Sequence, residues 1–170
     1  PIWVFVRGAP PSRLTGLKGK RIAVGAVGSG TRAVALPLLK DNGVSTDTAE
    51  LQEIGGNAAM DALTSGAVDA AFFVGSAKSR TVNTLMTTPG IAPMSFERAD
   101  AYVRRHAYLS KVVLPMGTVD LERNLPAQDT VLLAPTATVV ITPEMHPALI
   151  DLMLLTMQDV HEAGGYLEKP

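Results

Sequence analysis

The chain has 170 residues, with 15 Lys and Arg against 16 Asp and Glu, a formal net charge of −1 and no cysteine. That balance supplies no general attraction to nucleic acid or to an anionic membrane surface, and it excludes disulfide frameworks, thiolate metal sites and cysteine nucleophiles. At 46% hydrophobic and 18% charged, the sequence has the apolar content of a packed domain, or of two small lobes, rather than of a disordered chain.

The apolar run Ile2 to Val6, containing Trp3 and Phe5, predicts a strand ended by Gly8, Pro10 and Pro11. A polar lead-in then feeds a short buried strand, Arg21 to Val24. After a glycine turn, Val34, Ala35, Leu38 and Leu39 are spaced for a helix from Thr31 to Asp41, bent at Pro37 and stopped at Asn42-Gly43. A strand is expected over Ala49 to Ile54, then a helix from Ala58 to Ser65 capped by Asn57 and ended by Gly66. "VDAAFFV", residues 68–74, predicts a third strand, and a helix follows from about Lys78 to Met86. This β-turn-α order, three times over, is that of a parallel sheet with helices on its faces.

The remainder alternates differently. "SFERADAYVRRHAYL" predicts a strand end and a helix, "KVVL" a strand ended by Pro115, and "TVLLAPTATVVIT" a long extended stretch. From Pro143 a helical pattern runs to Gly164-Gly165. Its apolar residues, Leu149, Ile150, Leu152 to Leu155, Met157 and Val160, cover more than one face, which predicts burial on several sides; a homodimer of this chain would supply it. The run Leu152 to Leu155 is far too short to span a bilayer. The chain opens Pro-Ile-Trp-Val, without Met or a basic n-region, and reads as an excerpt of a longer protein.

The chemistry concentrates in "AVGAVGSGTRA", residues 23–33. A strand feeding a glycine turn and a helix presents free backbone N–H groups and the positive end of the helix dipole. Three readings stand side by side: a tight turn with no ligand, a dinucleotide site, and a site for a carboxylate or other small anion. Gly28-Ser-Gly30-Thr-Arg-Ala33 fits G-x-G-x-x-A, and Glu53 follows Ala33 by 20 residues, near where a ribose-binding acid belongs. No second mononucleotide half is visible, however. Ser29 and Thr31 add hydroxyl donors and Arg32 a guanidinium fork, which favours the small anion. No catalytic residue, metal site or cofactor emerges. His106, His146 and His161 are scattered, Ser76 and Ser110 lie in no nucleophile elbow, and Arg98, Arg104 and Arg105 read as a solvated helix face.

"LKGKRIAVGAVGSGTRAVALPLLKDNGV", "GGNAAMDALTSGAVDAAFFVGS", "VVLPMGT" and "DTVLLAPTATVVIT", taken in order, resemble the TAXI family of solute-binding proteins of TRAP transporters. The resemblance implies the type II periplasmic binding protein fold: two α/β lobes, joined by hinge strands, that close on a small organic anion such as a carboxylate or amino acid. It implies hinge strands at Ile2 to Arg7 and Val131 to Thr142. Residues 1–17 would be hinge and linker, 18–117 the second ligand-binding lobe, and 118–170 the return strand and a helix belonging to the first lobe. Most of that first lobe would lie upstream of Pro1. Carried over by motif position, Gly28, Ser29, Gly30, Thr31, Arg32, Phe73, Val74, Gly75 and Ser76 would bind the ligand. The membrane subunits of a TRAP transporter would be partners, and the location periplasmic, with a membrane anchor in the full-length protein. The alternatives are the effector-binding domain of a LysR-type regulator, which shares the fold, and an NAD-dependent enzyme using the Gly28-Ser-Gly30 turn.

Overall fold

The computed structural model describes residues 1–161 and 165–167. Among the described residues, seven strands form one sheet: β1 (Ile2–Arg7), β2 (Arg21–Ala23), β3 (Glu50–Gln52), β4 (Ala70–Val74), β5 (Ile91–Pro93), β6 (Leu109–Leu114) and β7 (Thr130–Pro135). The helices that accompany them there are α1 (Gly30–Asp41), α2 (Gly56–Ser65), α3 (Arg80–Thr87), α4 (Ala99–Arg105) and α5 (Pro147–His161). A 3-10 turn at Leu14–Leu17 buries both its leucines.

The sheet order is β3-β2-β4-β1-β7-β6, with β5 also paired to β1. β3, β2 and β4 are parallel, as the repeated β-turn-α pattern predicts. β1 enters antiparallel beside β4, with Ile2 opposite Val74 and Val6 opposite Ala70. β5 and β7 are antiparallel to β1, and β6 to β7, so five of the seven strands run one way and β1 and β6 the other. The expected α/β class forms, with flanking helices on a sheet that is parallel through β3, β2 and β4 and antiparallel beyond them.

Helices cover both faces, so the central strands are apolar on both sides. Alternation along β1 sends Ile2, Val4 and Val6 to one core, with Ile22, Phe72 and the inner face of α1 and α4. Trp3 and Phe5 point to the other core, with Phe73, Leu132 and the inner faces of α2 and α3. The Trp3 and Phe5 rings stack at 5.9 Å between centroids.

Several boundaries differ from expectation. α1 runs through Pro37 as one element. α2 begins at Gly56 on a Gly55 cap, so Asn57 lies inside its first turn and caps nothing. β5 was hidden in a three-residue run with no periodicity of its own. The extended stretch after Thr130 keeps a ladder partner only to Pro135, because β6 ends opposite it at Leu109, and residues 136–142 are no strand. α5 starts at Pro147, where the His146 imidazole accepts from the Ala148 N–H at 3.2 Å. Gly164, half of the expected helix stop, lies outside the described residues, as does the His161 side chain. The described part of α5 is exposed nearly throughout.

Candidate functional site

β2, β3 and β4 end on the same side of the sheet, and each hands the chain through a short turn to a helix. The three helix starts therefore meet. Gly25 closes the first turn at φ 98°, and a Cβ there would stand 2.8 Å from both the Arg32 nitrogen and the Ser29 hydroxyl oxygen. A Cβ on Gly55 would stand 3.1 Å from the Ala26 nitrogen, so the β3–α2 turn lies directly on the β2–α1 turn. The Gly25 N–H donates to the Ile54 carbonyl, joining the two.

Ser29 caps α1: its hydroxyl oxygen accepts from the Arg32 N–H at 3.2 Å. The Ser29 N–H itself donates to Ala26. Of the donors expected at this turn, those of Gly30 and Thr31 are left to the helix mouth. Gly55 gives α2 no side-chain cap. Ser79 caps α3, accepting from Val82 at 3.3 Å. The hollow between these starts has a volume of about 180 Å³, lined by Thr31, Gly56, Phe73, Val74, Gly75, Ser79, Thr81 and Val82. Its walls are backbone, hydroxyl and apolar groups, with no ionisable side chain among them.

The nine residues expected to bind ligand divide. Thr31, Phe73, Val74 and Gly75 line this hollow. Gly28, Ser29 and Arg32 line a more open depression on the other side of the α1 start, with Ala33, Leu36 and Pro37. Gly30 is the first residue of α1, beside Thr31. Ser76 is exposed and shapes a local turn, its hydroxyl accepting from the Lys78 N–H at 3.1 Å. Gly56, Ser79, Thr81 and Val82 join the hollow without having been singled out. The pattern placed that helix start at about Lys78, two residues before Arg80, and so passed over Ser79 as its cap.

Arg32 does not point a free fork at the hollow. Its Nη2 donates to Glu53 Oε1 at 2.6 Å, while Nη1 is buried with no hydrogen-bond partner among the described residues. Glu53, the acid positioned for a ribose, is thus held by Arg32, and the strand flanking β4 is antiparallel where a dinucleotide fold continues in parallel.

The histidines and the α4 arginines have other roles. His106 Nε2 lies 2.7 Å from Asp41 Oδ2, and Arg105 donates twice to the same carboxylate. Arg105 first, and then His106, holds the Asp41 carboxyl below its ordinary range. Arg98 donates to the Asn42 side-chain oxygen at 2.7 Å. Arg98, Arg104 and Arg105 are exposed, as the sequence pattern has it, and Arg98 and Arg105 in addition fasten α4 to the end of α1. Among the described residues no group of His, Asp and Glu could hold a metal ion.

Three helix starts opening on one hollow gather helix-mouth donors at the carboxyl ends of the parallel strands. Residues 3–161 match the NMT1-like family, and the chain belongs to that family. In fold, the chain is similar to the periplasmic aliphatic sulphonate binding protein SsuA from Escherichia coli, at 19% identity and TM-score 0.46 over 55% of this chain and 29% of that one. It is similar to the substrate binding protein of an amino acid ABC transporter, at 13% identity and TM-score 0.48 over 97% and 55%. It is also similar to the regulatory domain of Synechocystis PCC6803 CcmR in complex with 2-PG, at 16% identity and TM-score 0.46 over 94% and 62%. The chain thus spans less than two thirds of the length of each. No helix among the described residues is long and apolar enough to cross a membrane.

Proposed function

We propose that this chain is the anion-binding lobe of a solute-binding protein that captures a small organic anion, a carboxylate or amino acid, for import, without catalysis. The observation that carries the reading is the meeting of three helix starts around one hollow whose donors are backbone N–H groups and hydroxyls. The reading takes Thr31 and Ser79 as the contacts nearest the ligand, with Phe73, Val74 and Gly75 walling the hollow and Gly28, Ser29, Gly30, Arg32 and Ser76 outside it, around the helix starts. At about 180 Å³ the hollow is smaller than the roughly 300–1,000 Å³ of a complete small-molecule pocket, which accords with half of a two-lobed clamp. β1 and β7 are then the hinge strands, residues 18–117 the lobe, and the remainder the return to a first lobe. On the sequence resemblance, the transporter is of TRAP type with a TAXI-family binding protein. Its partners are the TRAP membrane subunits, and its location is periplasmic, with a membrane anchor in the full-length protein.

Trp3 supplies the assay, because its indole N–H donates to the Gly75 carbonyl at 2.9 Å. Titration with acetate, L-glutamate and sulfate is expected to change Trp3 emission saturably. Losing two or three polar contacts with the missing lobe costs about 1–1.5 kcal/mol each, so affinity falls at least tenfold to a hundredfold below that of a complete clamp. Replacing Thr31 and Ser79 together by Val and Ala should lower it a further roughly tenfold. Saturable binding of NAD in place of these anions, or anion binding untouched by the double substitution, would overturn the reading.

A further inference from the structure

Past α5 the chain returns to the α/β unit. Tyr166 and Leu167 lie against the loop that joins β4 to α3, the third wall of the hollow. Lys78 Nζ stands 5.2 Å from the centre of the Tyr166 ring. Leu167 is half-buried against the core that contains Trp3, Ala77, Val82 and Leu132. Within the loop, Gly75 is fixed by β1, since its N–H donates to Pro1 and its carbonyl accepts from Trp3. The middle of the loop is held by a turn in which Ser76 accepts from Lys78 and Ser79, by the Asn83 side-chain amide donating to the Lys78 carbonyl at 3.3 Å, by the buried Ala77 methyl, and by the Tyr166 ring under Lys78.

We propose that Tyr166–Leu167 is a strap that holds the β4–α3 loop, the third wall of the candidate ligand site, in place. An ammonium over an aromatic face is attracted by the ring quadrupole, and Leu167 adds apolar contact beside it. The contact stands on its own geometry; its consequence for ligand rests on the reading of the hollow as an anion site.

The test is hydrogen exchange of the full chain without ligand, comparing the parent with Lys78→Gln, Tyr166→Phe and Tyr166→Ala/Leu167→Ala. The double variant is expected to raise exchange at the Lys78 and Ser79 amides roughly three- to tenfold and Lys78→Gln roughly two- to fivefold, while Tyr166→Phe, which keeps the ring, leaves it unchanged. Amides of α1 at Ala35 to Leu39 should not change. Unchanged exchange in the loop overturns the strap, and so does an equal rise in α1, which would make these residues general packing. Sulfate titration of the same proteins separates the two ideas. Faster loop exchange with no sulfate binding in any of them keeps the strap and removes the anion reading; sulfate binding with no change in loop exchange does the reverse.

Discussion

Gly25→Ala should damage this protein far more than Gly28→Ala, although the two glycines sit in the same turn with similar backbone angles, φ 98° and 77°. An L-residue in the left-handed region costs about 1–2 kcal/mol, and both substitutions carry that cost. A methyl at 28 meets nothing within 4 Å, and the stiffer unfolded chain returns about 0.4–1 kcal/mol, leaving about 0.5–1.5 kcal/mol of destabilisation. A methyl at 25 would lie 2.8 Å from the Arg32 nitrogen and the Ser29 hydroxyl, and 3.0 Å from the Thr31 Cβ. Two of those atoms make the α1 cap itself, so relief requires moving the helix start, an overpacking cost of about 1–3 kcal/mol. With the same return from the unfolded chain, the total is about 1.5–4.5 kcal/mol. With an m value of about 2 kcal/mol/M, urea unfolding followed by Trp3 emission should shift its midpoint down by about 0.75–2.25 M for Gly25→Ala and about 0.25–0.75 M for Gly28→Ala. Equal midpoints for the two variants would show that the turn is not closed on Gly25 in this way, and the convergence of helix starts would lose its main support.

Other consequences can be measured alongside. Asp69 accepts from the Arg21 guanidinium and backbone N–H, and Asp41 from Arg105 and His106; both carboxyls are held below their ordinary range. A depressed carboxylate contributes stability above its unfolded value and loses it as the pH falls through the folded one. The urea midpoint should therefore drop from about pH 5 downward, and less steeply in Asp41→Asn/Asp69→Asn; identical slopes would refute the linkage. Asn42→Ala removes the buried amide that donates to Leu38 and Tyr102 and accepts from Arg98. It should cost about 1–3 kcal/mol of stability, read from the same urea curves, and a neutral result would count against the α1–α4 fastening. Leu152, Leu155 and Val160 are 60%, 64% and 67% exposed on α5, and apolar surface of that kind finds a partner. Light scattering should report a mass above the 17.9 kDa of one chain, returning to one chain in Leu152→Asp/Leu155→Asp; a monomeric parent would exclude the homodimer.

By itself the sequence determined the local grammar of this protein. Apolar period, a hydroxyl before a helix and a glycine after it act within one turn of chain, so β1, β2, α1 and β4 are where the residues place them. The glycine turn was legible as a helix mouth for the same reason. What the tertiary structure decided is everything that needs a distant partner. β5 exists only because β1 offers it a ladder, and the stretch after Thr130 stops being a strand at Pro135 because β6 runs out opposite it. Arg32 carries the right chemistry for an anion, yet Glu53, brought beside it by the parallel pairing of β2 with β3, takes its fork. Ser79 and Gly56 entered the hollow through sheet order, which no residue near them encodes. Local free energies of a few tenths of a kcal/mol set where elements begin; the order of strands, and hence which donors face a shared space, follows from burial summed over the whole chain.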